Sequence, residues 1–159
     1  MRKTLASILV VPAILAAPIS VAHADHAPLR PAIVALGVAG GDPSAIDLKF
    51  WINHHSGFDF GLGFSRWSSR VGVYGEFELG LADFWIGDDA SGVFYIGVGG
   101  AIALRYHRDD LAVALVIPIG INFRFRAPIE VFLELRPGFE LLDTDGFGLG
   151  AQVGIRYVF

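Results

Sequence analysis

Apolar and polar residues alternate along nearly all of the chain beyond residue 31, with a period of two rather than 3.6. In FGLGAQVGIRYVF, at the end, Phe147, Leu149, Ala151, Val153, Ile155, Tyr157 and Phe159 share one side. Glycines, Gln152 and Arg156 share most of the other. Alternation of this kind is that of a strand with unlike faces. It predicts eight strands, over 32–40, 45–53, 57–65, 70–85, 93–106, 111–125, 129–142 and 147–159. The pieces between them, such as GGDPS, NHHSG, SRWSSR and GDDASG, are short and rich in turn formers. Chain neighbours should therefore pair as antiparallel hairpins. No stretch has helical spacing, and none reads as a linker between domains.

The faces decide what such a sheet encloses. Strand six carries Leu111, Val113, Leu115, Ile117, Ile119, Ile121 and Phe123 on one side, with Gly120, Asn122 and Arg124 opposite. Strand seven sets Ile129, Val131, Leu133 and Leu135 against Glu130, Glu134, Arg136 and Glu140. An eight-stranded barrel has an interior only just wide enough for side chains to fill it. The many Leu, Ile, Val and Phe residues do not fit there. The polar face does, because its glycines and alanines leave room for a few long charged groups. The pattern is that of a transmembrane barrel, apolar outside and polar inside. The fold class expected is all-β: an eight-stranded antiparallel up-and-down transmembrane β-barrel. Asp83 is the clearest exception, a charge that the alternation leaves on the lipid side near a strand end.

The inward charges read from the alternation are Asp47, Lys49, Asp59, Glu76, Glu78 and Arg105 in the first five strands. Arg124, Glu130, Glu134, Arg136, Glu140 and Arg156 follow in the last three. Buried charges need partners, so a salt-bridged plug is expected rather than an open pore. Acids outnumber bases in this set. The excess calls for protonation of a carboxylate, for waters, or for a cation. With an even number of strands, both ends of the barrel domain lie on the periplasmic side. Outward Phe50, Phe58, Phe60, Trp85, Phe94, Phe123, Phe125, Tyr157 and Phe159 fall at that end. They form an expected aromatic girdle at one membrane interface.

Composition supports this picture. The chain has 159 residues, 53% of them hydrophobic, with 20 glycines and no cysteine. Disulfides and thiolate metal sites are thereby excluded. Met1-Arg2-Lys3, the apolar run LASILVVPAILAAPISV and Ala22-His23-Ala24 have the order of a secretory signal peptide. The expected division is a signal peptide at 1–24, a short periplasmic segment at 25–31 and the barrel at 32–159. The net charge is −4 and becomes more acidic once Arg2 and Lys3 are removed, which speaks against a nucleic-acid partner. Outside the signal, no apolar run approaches the roughly 20 residues of a membrane-spanning helix.

The final stretch QVGIRYVF resembles the C-terminal assembly signal of outer-membrane barrels. Gln152, Gly154, Tyr157 and Phe159 hold its polar, glycine and aromatic places. The resemblance implies the barrel-assembly machinery as a partner, outer-membrane lipids as surroundings and the bacterial outer membrane as location. The barrel region as a whole resembles the small eight-stranded outer-membrane barrels. More narrowly, GDPSAIDLKFWIN resembles a stretch of a barrel family of unknown function first noticed in spirochaetes. A monomer without cofactor or metal is expected.

Pro118 and Pro137 interrupt this regularity, because proline cannot donate to a ladder. A three-residue turn at Arg126-Ala127-Pro128 puts Pro118 opposite Arg136 and Pro137 opposite Ile117. A shared kink is the simplest outcome. The outer-membrane lipid A palmitoyltransferase, which this feature resembles, has prolines flanking a lateral opening between its sixth and seventh strands. That resemblance implies lipid access near Pro118 and Pro137. Acyl transfer would need a polar cluster on the outer rim, where His107, Asp109, Ser68, Ser69, Asp42 and Ser44 are the candidates. A histidine beside a serine and a carboxylate can activate a hydroxyl, yet these residue types populate any polar loop. Residues 25–31 are too few for the amphipathic helix of that enzyme. His54-His55-Ser56 has the His-x-Ser spacing of lipid A deacylases but falls on the periplasmic side. The sequence therefore favours a structural, non-catalytic barrel, with a lipid-modifying enzyme or a narrow ion channel as alternatives.

Overall fold

The computed structural model describes residues 33–65, 70–105, 111–142 and 146–159, and for Arg105 the backbone alone. The signal peptide, the segment 25–31, Ser68, Ser69, His107 and Asp109 lie outside the described residues. Among the described residues there are nine strands: β1 (Val34–Asp42), β2 (Ser44–Trp51), β3 (Ser56–Ser65), β4 (Arg70–Ile86), β5 (Ala90–Arg105), β6 (Leu111–Val116), β7 (Ile119–Phe125), β8 (Ile129–Glu140) and β9 (Phe147–Val158). All pairings are antiparallel; β1 pairs with β9 at the closing seam, β5 pairs with both β6 and β7, β8 likewise pairs with both, and the remaining pairings join chain neighbours. The strands thus close into a ring of eight staves, β6 and β7 being two halves of the sixth.

The break in the sixth stave falls at Ile117-Pro118. Flanking pairs Val116↔Gly138 and Ile119↔Leu135 place Pro118 opposite Arg136 and Ile117 opposite Pro137, as the turn length predicts. Gly97 N–H donates to Pro118 O at 2.7 Å, and Ile117 N–H donates to Pro137 O at 2.9 Å. The reciprocal bonds would need N–H groups that the two prolines lack. Half of each local bond pair is therefore missing, at one height, on both sides of the sixth stave.

Exposure confirms the inverted faces. Leu133 and Leu135 are each 53% exposed, whereas Lys49, Glu130 and Arg156 on the other face are at 1% or less. Burying paired charge inside a cylinder of exposed Leu, Ile, Val and Phe makes sense only where the outer medium is hydrocarbon.

One part of the lipid face differs from the simple alternation. In β4 the register shifts between Gly80, opposite Tyr95, and Ala82, opposite Phe94. Leu81 is an extra residue, a β-bulge, and everything beyond it changes face. Asp83 therefore lies on the inner side, opposite Val93, with His55 Nε2 2.7 Å from its Oδ2. Trp85 likewise leaves the girdle and faces inward, opposite Ser91, whose other neighbour is Arg124. Phe84 takes the outward place, with ring centroids 5.1 Å from Phe94 and 5.9 Å from Phe123. The bulge thus removes the one misplaced charge and supplies the girdle with a different ring.

Candidate functional site

The interior is built from glycines upward. Three inward aromatic residues each face a glycine on the next strand: Tyr74 opposite Gly61, Tyr95 opposite Gly120 and Phe132 opposite Gly154. A Cβ at any of these glycines would collide with the facing ring. The bare backbone lets the ring lie flat across it. The rings and Trp51 then form platforms for cations. Arg156 sits 3.8 Å above the Phe132 centroid, Arg136 4.1 Å above Tyr74 and Arg124 3.7 Å above Trp51. Lys49 Nζ is 4.2 Å from the Trp51 ring and 5.0 Å from Tyr95.

Around these platforms the charges pair. Arg156 is the hub of the inner half. It donates to Asp47, to Asp59 and, at 2.8 Å, to Glu130. Arg124 Nε reaches Glu130 at 3.1 Å, Lys49 pairs with Glu78, and Tyr74 O–H donates to Asp47 at 2.9 Å. Arg136 forms the next layer. It pairs with Glu76, and donates to Glu134 at 2.6 Å and to Gln152 Oε1 at 3.1 Å. Tyr95 O–H closes this layer with a 2.6 Å bond to Glu134.

The outer half is different. Arg70 of β4 and Glu140 of β8 form a two-pronged pair at 3.0 and 2.9 Å, across the outer ends of β5 and β6. Beneath them lies a cavity of about 730 Å³, walled mainly by Gly63, Gly72, Ala103, Ala112, Ala114 and Gly138, with Tyr74 and Arg136 at its base. The barrel is a solid ionic plug below an open cup.

Eleven of the expected inward charges are found inside, some in the cup and most in the plug; the side chain of the twelfth, Arg105, lies outside the described residues. Sequence reasoning missed Arg70, which opens its strand and reads as part of the turn. It also missed Trp51 and Phe132, because an inward ring breaks the polar side of the alternation. Their only sequence signal is a glycine at the register-matched place on the next strand. Buried oxygens of Asp59, Glu76 and Glu78 have no protein donor, which is where the excess of acid shows itself.

The girdle residues gather in patches on the outer surface. Phe58 touches Phe60 and Phe77 at 6.2 and 5.4 Å, and Phe50 meets Phe60 at 6.1 Å. Phe94 and Phe123 join through Phe84, Phe125 is 41% exposed, and Tyr157 and Phe159 form their own pair at 5.0 Å. Among the assembly-signal residues, Gln152 also bonds Arg136 and Pro43 O inside the barrel.

The rim candidates that are described have other duties. Ser44 Oγ donates to Gly41 O at 3.0 Å and accepts from Gly41 N–H at 3.3 Å, so it closes its own turn. Asp42 lines the cup. Asn53 Oδ1 accepts from the N–H groups of His55 and Ser56, both at 2.8 Å, and His55 is held by Asp83. Among the described residues, no three His, Asp or Glu side chains group so as to hold a metal ion.

No family model and no curated protein matches the chain. Solved structures do. The N-terminal β-barrel domain of OprF from Pseudomonas aeruginosa aligns with a TM-score of 0.54 at 10% identity, over 82% of this chain and 100% of that one. Neisserial surface protein A aligns with a TM-score of 0.47 at 12% identity, over 81% of this chain and 95% of that one. The Yersinia pestis outer membrane protein Ail, in a phospholipid bilayer nanodisc, gives 0.36 at 13%, over 81% and 99%. The first of these shows the fold, a small outer-membrane-type β-barrel.

Proposed function

We propose that the chain is an integral protein of the bacterial outer membrane with a structural role, neither conducting nor catalytic. The ionic plug carries this reading. Arg156, Arg136, Lys49 and their carboxylates fill the inner half from nearly every stave, and a barrel of this width has no second path around them. In planar bilayers the purified protein should give no single-channel steps. Steps that change on Arg136→Ala would replace this reading with that of a narrow channel.

Lipid acyl transfer is the second reading, because an open cup stands beside the Pro118–Pro137 break. Mass spectrometry of lipid A from cells with and without the protein separates the two. Unchanged acylation is expected. An added or lost chain that disappears with His107→Ala would establish the enzyme.

The exposed Tyr157–Phe159 pair at the strand end supports handling by the barrel-assembly machinery. Deleting Phe159 should lower the amount of protein in the outer membrane severalfold. Refolding of the same variant into detergent should remain intact, because beyond the pair Ala35↔Val158 Phe159 adds a single backbone bond, its N–H to Val34 O at 3.0 Å. Equal loss in both assays would make its role one of stability instead.

A further inference from the structure

We infer that the outer cup binds a small water-borne aliphatic amine, which enters from the open outer end and anchors its ammonium group on Asp42. The inference rests on the barrel reading above and extends it to a ligand. Four described charged residues line the cup: Asp42, Arg70, Arg136 and Glu140. Three of them are matched. Arg70 takes both oxygens of Glu140, at 3.0 and 2.9 Å, and Arg136 is held by Glu76 and Glu134. Asp42 is not matched. Its Oδ1 is buried and accepts no hydrogen bond from the described residues. An acceptor left in that state is costly, and a donor brought by a ligand removes the cost. The residue as a whole is half-buried, so its carboxylate can be reached. It is also fixed in place. Ser44 Oγ bonds both the N–H and the C=O of Gly41 just before it, and Gln152 donates to Pro43 O just after it. An anchor already ordered binds without the entropy cost of ordering it.

The rest of the cup selects what carries the charge. Its wall is bare backbone and methyl groups, from Gly63, Gly72, Ala103, Ala112 and Gly138. A metal ion would need several oxygen ligands at once, and no three carboxylate or imidazole groups among the described residues supply them. An anion would meet an unmatched carboxylate. A primary ammonium on a short alkyl body needs one anionic acceptor and an apolar wall; its other N–H groups can stay with water at the mouth. The volume of about 730 Å³ lies within the roughly 300–1,000 Å³ of ordinary ligand sites. Arg70 Nε–H also lacks an acceptor. Glu140 already neutralises that guanidinium, so this donor suits a hydroxyl or carbonyl oxygen on the same ligand rather than a second charge.

The test sets pentylamine against 1-pentanol and pentanoate, which share its chain but not its charge. Each is titrated at neutral pH into protein refolded in phosphatidylcholine nanodiscs, with alanine methyl groups labelled by carbon-13 and followed by NMR. Pentylamine should shift the cup methyls of Ala103, Ala112 and Ala114 saturably. It should leave Ala82, on the lipid face opposite Phe94, unmoved. The neutral and anionic probes at equal concentration should not move the cup methyls. Asp42→Asn should weaken pentylamine about tenfold or more, as loss of a hydrogen bond to a charged group does. Gly148→Phe keeps Asp42 but fills the cup, at a position where an added Cβ meets nothing within 4 Å; it should abolish the shifts. Equal cup shifts from 1-pentanol, or undiminished binding in Asp42→Asn, would overturn the ammonium site. So would pentylamine shifts at Ala82 alone, which report entry into the bilayer only and leave the barrel intact. A collapsed methyl spectrum before any probe is added would instead overturn the barrel, and the site with it.

Discussion

Replacing Arg156 with methionine should cost about 3–5 kcal/mol of folding stability, the penalty for leaving buried charge without its partner. Arg156 satisfies Asp47, Asp59 and Glu130 at once and is itself 1% exposed. Methionine fills similar space over Phe132 but donates nothing, so three carboxylates from β2, β3 and β8 are left facing one another. Urea unfolding in lipid vesicles, followed by tryptophan fluorescence, would measure the loss. The quadruple variant Arg156→Met, Asp47→Asn, Asp59→Asn, Glu130→Gln should recover most of it, since removing both sides of a buried pair is often close to neutral. A single variant as stable as the wild type would mean that the plug does not hold the barrel together.

The second large effect is expected at Gly154. Valine there would drive its side chain into the Phe132 ring. The Arg156 guanidinium also lies against the ring, 3.8 Å from its centroid, so the ring cannot shift without disturbing that contact. Overpacking of this kind typically costs about 1–3 kcal/mol, and displacing the ring removes the cation–π contact, worth up to about 2 kcal/mol when desolvated. A total loss near the upper end of that first range is the expected result by the same unfolding assay. Gly154→Val combined with Phe132→Ala should recover part of it, which a pure backbone effect of the glycine would not allow. Gly148→Val is the control: an added Cβ there meets open space, so its stability should stay within about 0.5 kcal/mol of wild type, as for substitutions away from tight contacts.

The two predictions meet at one physical device. Glycine admits the ring, the ring carries the guanidinium, and the guanidinium gathers carboxylates from β2, β3 and β8. In the inner half this chain of dependence fills the lumen. In the outer half the small residues have no ring to admit, and the same composition leaves a cup.

The alternation by itself determined the number of staves, their antiparallel order, and which face meets lipid. A period of two is a local property, and each strand displays it without reference to the others. The turn after β7 also fixed the pairing of β7 with β8, because antiparallel register follows from loop length. Three things were decided only by the closed structure. The bulge at Leu81 moved Asp83 inward and exchanged Trp85 for Phe84 in the girdle. In GLADFWI only the misplaced Asp83 signals that the phase slips, and nothing marks where the extra residue enters, because the residues around it are apolar or small. Several partners, Asp47 and Asp59 of Arg156, Glu76 of Arg136 and Glu140 of Arg70, lie on staves that do not adjoin theirs, and the stagger of the closed ring sets which heights coincide. The division into plug and cup depends on where bulky inward residues cluster in space, and residues at one height are scattered along the chain. Alternation records the face a residue takes; only closure of the cylinder sets what stands across from it.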